Sequence, residues 1–131
     1  MKSVVLDTNI LIDFIANPDG FKRSQIASFE RMLIPSVVLG EIKAGIFDNR
    51  RGEESTLRLN QLLACSSVSV LPVAERTAEV YAKVYQALRA KGTPIPQNDM
   101  WIAASALEHA ADLATRDEHF HFVPMLTVII P

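Results

Sequence analysis

The chain has a single cysteine, Cys65. That excludes an internal disulfide and a cysteine-ligated zinc knuckle, and it fits the reducing cytoplasm, where the protein is expected to reside. No stretch approaches the ~18 uninterrupted apolar residues of a membrane span. The apolar run before Asp7 is too short for a signal-peptide core. Aromatic residues make up only 7%, with one Trp and two Tyr, too few for a platform that stacks single-stranded bases. An excess of one charge sign is lacking as well. The 13 Lys and Arg against 15 Asp and Glu leave a net charge of −2, and with a pI near 5.9 this is not a strongly basic, sequence-independent nucleic-acid binder. Internal repeats, low-complexity tracts and linkers are also missing.

What remains is 131 residues, 49% of them hydrophobic, enough for one domain over residues 1–131 with a real core. Val4-Val5-Leu6 reads as a strand buried on both faces. Ile10, Leu11, Phe14 and Ile15 recur at helical spacing until Asn17-Pro18-Asp19-Gly20 stops them. A second strand is expected over 29–34, followed by a helix opening at Pro35-Ser36. A polar loop from Asn49 to Glu53 and a helix over 57–63 come next, then a strand at Val68–Leu71. A long helix over 74–91 ends at Gly92, well placed as its cap. A further helix starts at Asn98 or Asp99 and runs to about residue 110, with strands expected over 113–115 and 127–130 and a helical turn over 117–120. Short apolar strands alternating with helices predict an α/β sandwich with a mainly parallel sheet, and ligands of such folds bind beyond the carboxyl ends of the strands.

Four carboxylates occupy telling positions: Asp7, Glu41, Asp99 and Asp117. Asp7 and Asp117 follow strands and should project from the carboxyl edge of the sheet. On a helical wheel of about 100° per residue, Asp99 is centred on a stripe of Ala103, Ala106, Ala110 and Ile102. Glu41 lies at the margin of its helix's apolar arc. A carboxylate facing a core is rare unless something pairs with it. Two unit charges 4 Å apart repel by about 4 kcal/mol at an effective dielectric of about 20, so four clustered carboxylates call for a cation. An oxygen-only donor set without a cysteine or an obligatory histidine selects Mg²⁺, or Mn²⁺, over Zn²⁺. Such a cleft suits phosphoryl chemistry. With those four charges neutralised the rest of the chain carries +2, so Arg116, Arg50, Arg51, Arg58, Arg89, Lys91 and the Lys22-Arg23 pair are candidates for phosphate contacts.

Leu6-Asp7-Thr8-Asn9-Ile10-Leu11-Ile12-Asp13 resembles the opening of PIN-domain ribonucleases, especially VapC-type toxins. Pro35 to Glu41, Asn98 to Ala104 and Thr115 to Phe120 are similar to that family's second, third and fourth acidic motifs, in order and over essentially the whole chain. The resemblance implies a PIN-like three-layer sandwich with helices flanking a mainly parallel sheet. It implies a Mg²⁺- or Mn²⁺-dependent endoribonuclease that hydrolyses RNA by in-line attack of metal-activated water, leaving a 3′-hydroxyl and a 5′-phosphate. Asp7, Glu41 and Asp99 would carry the metal, Asp117 would ligate directly or through water, and Asn9 and Thr115 would brace them. It further implies a homodimer, a VapB-type antitoxin whose tail offers an Arg to the carboxylates, and tRNA or rRNA as substrate.

Plainer readings exist for each residue. Asp7, Thr8 and Asn9, like Asp99 and Asp117, suit helix caps, but capping does not explain an acid centred on an apolar stripe. His119 and His121, at alternate spacing in a turn, read as solvent-exposed or structural. Cys65 reads as a small core or boundary residue, Trp101 as core or dimer interface, and Tyr81 and Tyr85 as packing. Competing functions are a non-catalytic binding module on the same fold and a Mg²⁺-dependent phosphatase of the haloacid-dehalogenase type. The latter wants an acid two positions after Asp7, where this chain has Asn9.

Overall fold

The computed structural model of the chain describes residues 2–22, 25–48 and 50–131. Arg23 and Asn49 lie outside the described residues, as does the side chain of Lys22, and with them the phosphate contact read at Lys22-Arg23 and the first residue of the 49–53 loop. Five strands form one sheet: β1 (Ser3–Leu6), β2 (Arg31–Pro35), β3 (Val68–Leu71), β4 (Asp112–Ala114) and β5 (Val128–Ile129), in the order β3-β2-β1-β4-β5. Every pairing is parallel, which makes the sheet more uniform than the mainly parallel one expected. Val4, Val5 and Leu6 of the central strand are fully buried, as a strand covered on both faces must be.

The helices are α1 (Thr8–Ala16), α2 (Pro18–Lys22), α3 (Ser36–Phe47), α4 (Gly52–Leu63), α5 (Glu75–Lys91) and α6 (Gln97–Glu108). The chain leaves β1 toward β2 and β3, then crosses back to β4 and β5 on the other side of β1. Right-handed crossovers in opposite directions put their helices on opposite faces of the sheet. In keeping with this, α1, α3 and α4 contact one another, and α5 packs along α6. The order of strands reverses between β1 and β4, and the groove beyond their carboxyl ends is where such a sheet binds ligands.

The departures from the sequence reading are local. α1 ends at Ala16, where Asn17-Pro18-Asp19-Gly20 was expected to stop it, but Pro18 also opens the short α2, because proline suits the first helical position, and the Asn17 side chain accepts the Gly20 amide at 3.1 Å. α4 starts at Gly52, so Glu53 and Glu54 belong to its first turn rather than to a loop; acids there favour the helix dipole. β2 begins two residues later than expected, and β5 is two residues long. Cys65 is exposed in the turn before β3, not a core residue. Trp101 is partly buried and stacks on Tyr81 with centroids 4.0 Å apart, whereas Tyr85 is 44% exposed.

Candidate active site

The parallel ladder brings the first and fourth acidic motifs together at the carboxyl edge of the sheet. Leu6 pairs with Ala114, and the Asp7 amide continues the ladder to the Ala114 carbonyl at 3.0 Å. Asp7 therefore emerges from β1 next to Thr115 from β4. Both are almost fully buried, Asp7 at 3% exposure. The Thr115 hydroxyl donates to Asp7 Oδ2 at 2.7 Å and accepts the Asp117 amide at 3.0 Å, tying the two strand ends into one unit. Asp7 Oδ1 accepts the Thr8 amide at 2.7 Å, so Asp7 also caps α1. For Asp7 the capping reading is correct and does not compete with the site; Thr8 and Asn9 lie inside α1, Asp99 lies within α6, whose cap position is Pro96, and Asp117 makes no side-chain capping bond.

Asn9 sits in the first turn of α1 and reaches across the same gap. Its Nδ2 lies 3.2 Å from Asp7 Oδ2 and 3.5 Å from both Thr115 Oγ1 and Asp117 Oδ2, while its Oδ1 accepts the Arg116 amide. A neutral amide suits a place between two carboxylates, where it can donate to both.

The helices supply the other acids. The Ser36 hydroxyl, at the start of α3, donates to the Leu71 carbonyl at 2.7 Å and anchors that helix over the sheet edge. One turn on, Glu41 Oε2 accepts the Thr8 hydroxyl at 3.1 Å. Glu41 Oε1 is buried without a hydrogen-bond partner among the described residues. Asp99 lies in the first turn of α6, with Ile102, Ala103 and Ala106 buried beside it as the apolar stripe required. Ala110, the last residue of that stripe, falls beyond the helix and is exposed.

Burial pushes the Asp7 carboxyl above its ordinary value of 3.8; Asp117 adds to the rise, and the bonds from Thr115 and Thr8 oppose it. Asp99 is raised too, first by burial, then by the charges of Asp7 and Asp117, with His119 pulling the other way. Two carboxyls raised by burial and by neighbouring acids, Asp117 for Asp7 and both Asp7 and Asp117 for Asp99, mark a site short of positive charge.

His119 was missed as a site residue. It is neither simply exposed nor remote: its Nε2 lies 2.8 Å from Asp99 Oδ2. Donor atoms of Asp99, Asp117 and His119 all fall within 4.8 Å of one another. Asp7 stands outside that group but is bridged to Asp117 by Asn9 and Thr115, and Glu41 is reached through Thr8. Motif spacing alone offered no signal for His119, because the short 3-10 turn from Glu118 to Phe122 has no periodic face long enough to read.

Four of the cations read as phosphate contacts have protein partners. Arg116 pairs with Asp13 at the mouth of the site. Arg58 bonds Glu54 and the Ile15 carbonyl, Arg89 reaches Tyr85 and Lys91 the Phe122 carbonyl. Arg50 and Arg51 are exposed between α3 and α4. A cleft of about 400 Å³ between α1, α3 and α4 is lined by Thr8, Ile12, Ile15, Glu41, Arg51 and Arg58 among others, and so opens onto the acidic centre. Among the described residues no helix is long and apolar enough to cross a membrane.

The chain matches the model of the PIN domain over residues 4–124. It is 33% identical over 116 residues to ribonuclease VapC1 of Haemophilus influenzae strain R2866, covering 86% of this chain and 85% of that relative. It is 28% identical over 129 residues to ribonuclease VapC4 of Mycobacterium tuberculosis, covering 98% and 97%. Among solved structures it resembles VapBC2 from Rickettsia felis bound to a promoter DNA fragment, with a TM-score of 0.84, 26% identity and 97% of each chain covered. The motifs, the all-parallel sheet with acids at its switch point, and these likenesses agree: the chain belongs to the PIN-domain family, with the VapC-type ribonucleases as its relatives.

Proposed function

We propose that the whole chain, residues 1–131, acts in the cytoplasm as one metal-dependent endoribonuclease domain, the toxin of a toxin–antitoxin pair. The observation that carries this is the convergence of Asp7, Asp99 and Asp117, with Glu41 alongside, on the groove between β1 and β4.

The residues present fit a divalent ion. Glu41 Oε1 is a buried carboxyl oxygen with no hydrogen-bond partner among the described residues, and such an atom, if charged, costs several kcal/mol unless a positive charge meets it. Asp99 and Asp117 offer further oxygens close together. Asp7, Glu41 and Asp99, with Asp117, would hold Mg²⁺ or Mn²⁺, the ions that carboxylate oxygens favour. When bound, the ion supplies Lewis-acid activation of water and charge stabilisation at a phosphodiester. The protein's own part is positional. Thr115 and Asn9 fix the oxygens of Asp7 and Asp117, Thr8 fixes one oxygen of Glu41, and the buried setting of Asp7 keeps bulk water away from its carboxylate. An RNA strand laid across the groove would present its phosphate to this centre; water forming a P–O bond in line with O3′ while the P–O3′ bond breaks, O3′ leaving and taking up a proton, would give a 3′-hydroxyl and a 5′-phosphate. Arg116, Arg50 and Arg51 are the candidates for phosphate contacts: Arg51 lines the cleft beside Glu41, and Arg116 would have to exchange Asp13 for phosphate.

The structural relative from Rickettsia felis is a VapBC complex, which supports a VapB-type antitoxin as this chain's partner. The cleft beside Glu41, with Ile12 and Ile15 in its walls, suits apolar side chains of an antitoxin tail, and an Arg from that tail would meet the carboxylates. A homodimer is the expected assembly, and tRNA or rRNA the substrate class.

The test is cleavage of tRNA and rRNA by the purified protein with Mg²⁺, with EDTA, and by Asp7→Asn and Asp99→Asn variants. Cleavage should need the metal and both carboxylates. Cleavage that survives EDTA or both substitutions rejects the proposal, and a protein that captures an antitoxin yet cleaves no RNA is a binding module.

A further inference from the structure

The three histidines of the chain sit in different settings. His109 follows α6, with Nδ1 2.9 Å from the Ser105 carbonyl oxygen, and His121 is exposed. His119 turns toward the acidic centre. Its Nε2 lies 2.8 Å from Asp99 Oδ2, and the two side chains are 31% and 17% exposed. The imidazole leans on the ring of Phe120, with centroids 4.8 Å apart. Phe120 is fully buried, so the turn that carries His119 is pinned to the core.

A histidine beside carboxylates has two roles open to it. It can coordinate the ion, turning an oxygen site into a mixed nitrogen and oxygen site, or it can hold a coordinating carboxylate in place. A coordinating imidazole is ordinarily held through its other ring nitrogen by a carboxylate or a carbonyl. Here the nitrogen that faces the centre is the one already bonded to Asp99, and among the described residues Nδ1 has no such bond. The side-chain arrangement therefore matches a second-layer hydrogen bond rather than a ligand.

We propose that His119 is a positioning residue for Asp99, its Nε2–H donating to Oδ2 so that Asp99 keeps one orientation and offers Oδ1 to the ion. The donor set then stays all oxygen, which preserves the preference for a hard cation even with an imidazole in the group. This rests on the reading of Asp99 as a metal ligand. The hydrogen bond connects two motifs that are 20 residues apart in the chain, and it explains why the turn after β4 must carry more than Asp117.

Loss of an outer partner of a metal ligand typically lowers metal affinity about 10–100-fold. The experiment is titration of the metal-free full-length protein with Mn²⁺, read by the EPR signal of the free ion, for wild type, His119→Leu, His119→Gln and Asp99→Asn, with thermal melts to show that each variant is folded. His119→Leu should bind about 10–100-fold more weakly. His119→Gln, whose amide N–H can reach the same carboxylate oxygen, should recover most of the loss. Pulsed EPR of the Mn²⁺-loaded wild type should show no directly bonded nitrogen. A folded His119→Leu that binds like wild type, a Gln variant no better than Leu, or an imidazole nitrogen bonded to Mn²⁺ overturns the role assigned to His119. An Asp99→Asn variant that binds like wild type overturns instead the reading of the metal centre on which the proposal stands.

Discussion

Thr115→Val replaces a hydroxyl by a methyl of nearly the same size at a position with no solvent exposure. The hydroxyl has two close partners: it donates to Asp7 Oδ2 at 2.7 Å and accepts the Asp117 amide at 3.0 Å. A hydrogen bond to an ionised group contributes about 1.5–3 kcal/mol, and a buried group left without its partner costs about 1–3 kcal/mol. Asp7 is already lifted by burial, and the Thr115 bond is the strongest effect holding it down. Without that bond Asp7 rises further. We therefore expect the metal-free protein to lose about 2–3 kcal/mol at neutral pH, the charged bond being the larger share. For a chain of this length that is roughly 6–12 °C in Tm. Thermal unfolding in EDTA, where no bound ion adds to stability, measures it, with Thr115→Ser as the control that keeps the hydroxyl. A Thr115→Val protein within about 0.5 kcal/mol of wild type, the range of an ordinary surface change, would show that Thr115 does not anchor Asp7 as described.

The raised carboxyls of Asp7 and Asp99 also set a pH dependence in the metal-free protein. Their folded values lie above the ordinary 3.8, so between 3.8 and the raised values the folded state holds more protons than the unfolded one. Their contribution to stability is therefore present at low pH and is lost as the pH rises through that window. Subtracting the stability–pH curve of Asp99→Asn from that of wild type should expose a falling slope there, and saturating Mg²⁺ should remove the loss; a rising difference would contradict the burial of these acids. At the end of α5, Gly92 has φ +68°, so Gly92→Ala should cost about 1 kcal/mol by chemical denaturation through backbone strain alone, since nothing lies near an added Cβ. No loss would mean that the helix ends differently.

The motif positions were legible because they lie where strand and helix periodicity are strongest. Val4–Leu6 leads directly to Asp7, and the small residues after Asp99 show which way it faces. From that pattern alone the parallel sheet and the gathering of acids at its carboxyl edge could be anticipated. What could not be read lay in short elements. α2 is five residues long and begins at a proline, so the same residues that signal a stop also start it. α4 begins with Gly52 and two glutamates, a composition shared by loops and first helical turns. His119 and Cys65 sit in turns, where no periodicity relates a residue's number to its direction. In the 3-10 turn His119 and His121 lie two residues apart and point differently, and with Phe120 buried between them it is His119 that meets Asp99.

The claim on which everything turns is that carboxylates from distant parts of the chain bind one divalent ion. Anomalous scattering from crystals of the protein equilibrated with Mn²⁺ tests it most directly. A peak is expected in the groove between β1 and β4, within bonding distance of Asp99 and bordered by Asp7, Glu41 and Asp117, and no peak there in Asp99→Asn. Saturated crystals with no density at that place, or with Mn²⁺ held only elsewhere, would contradict it.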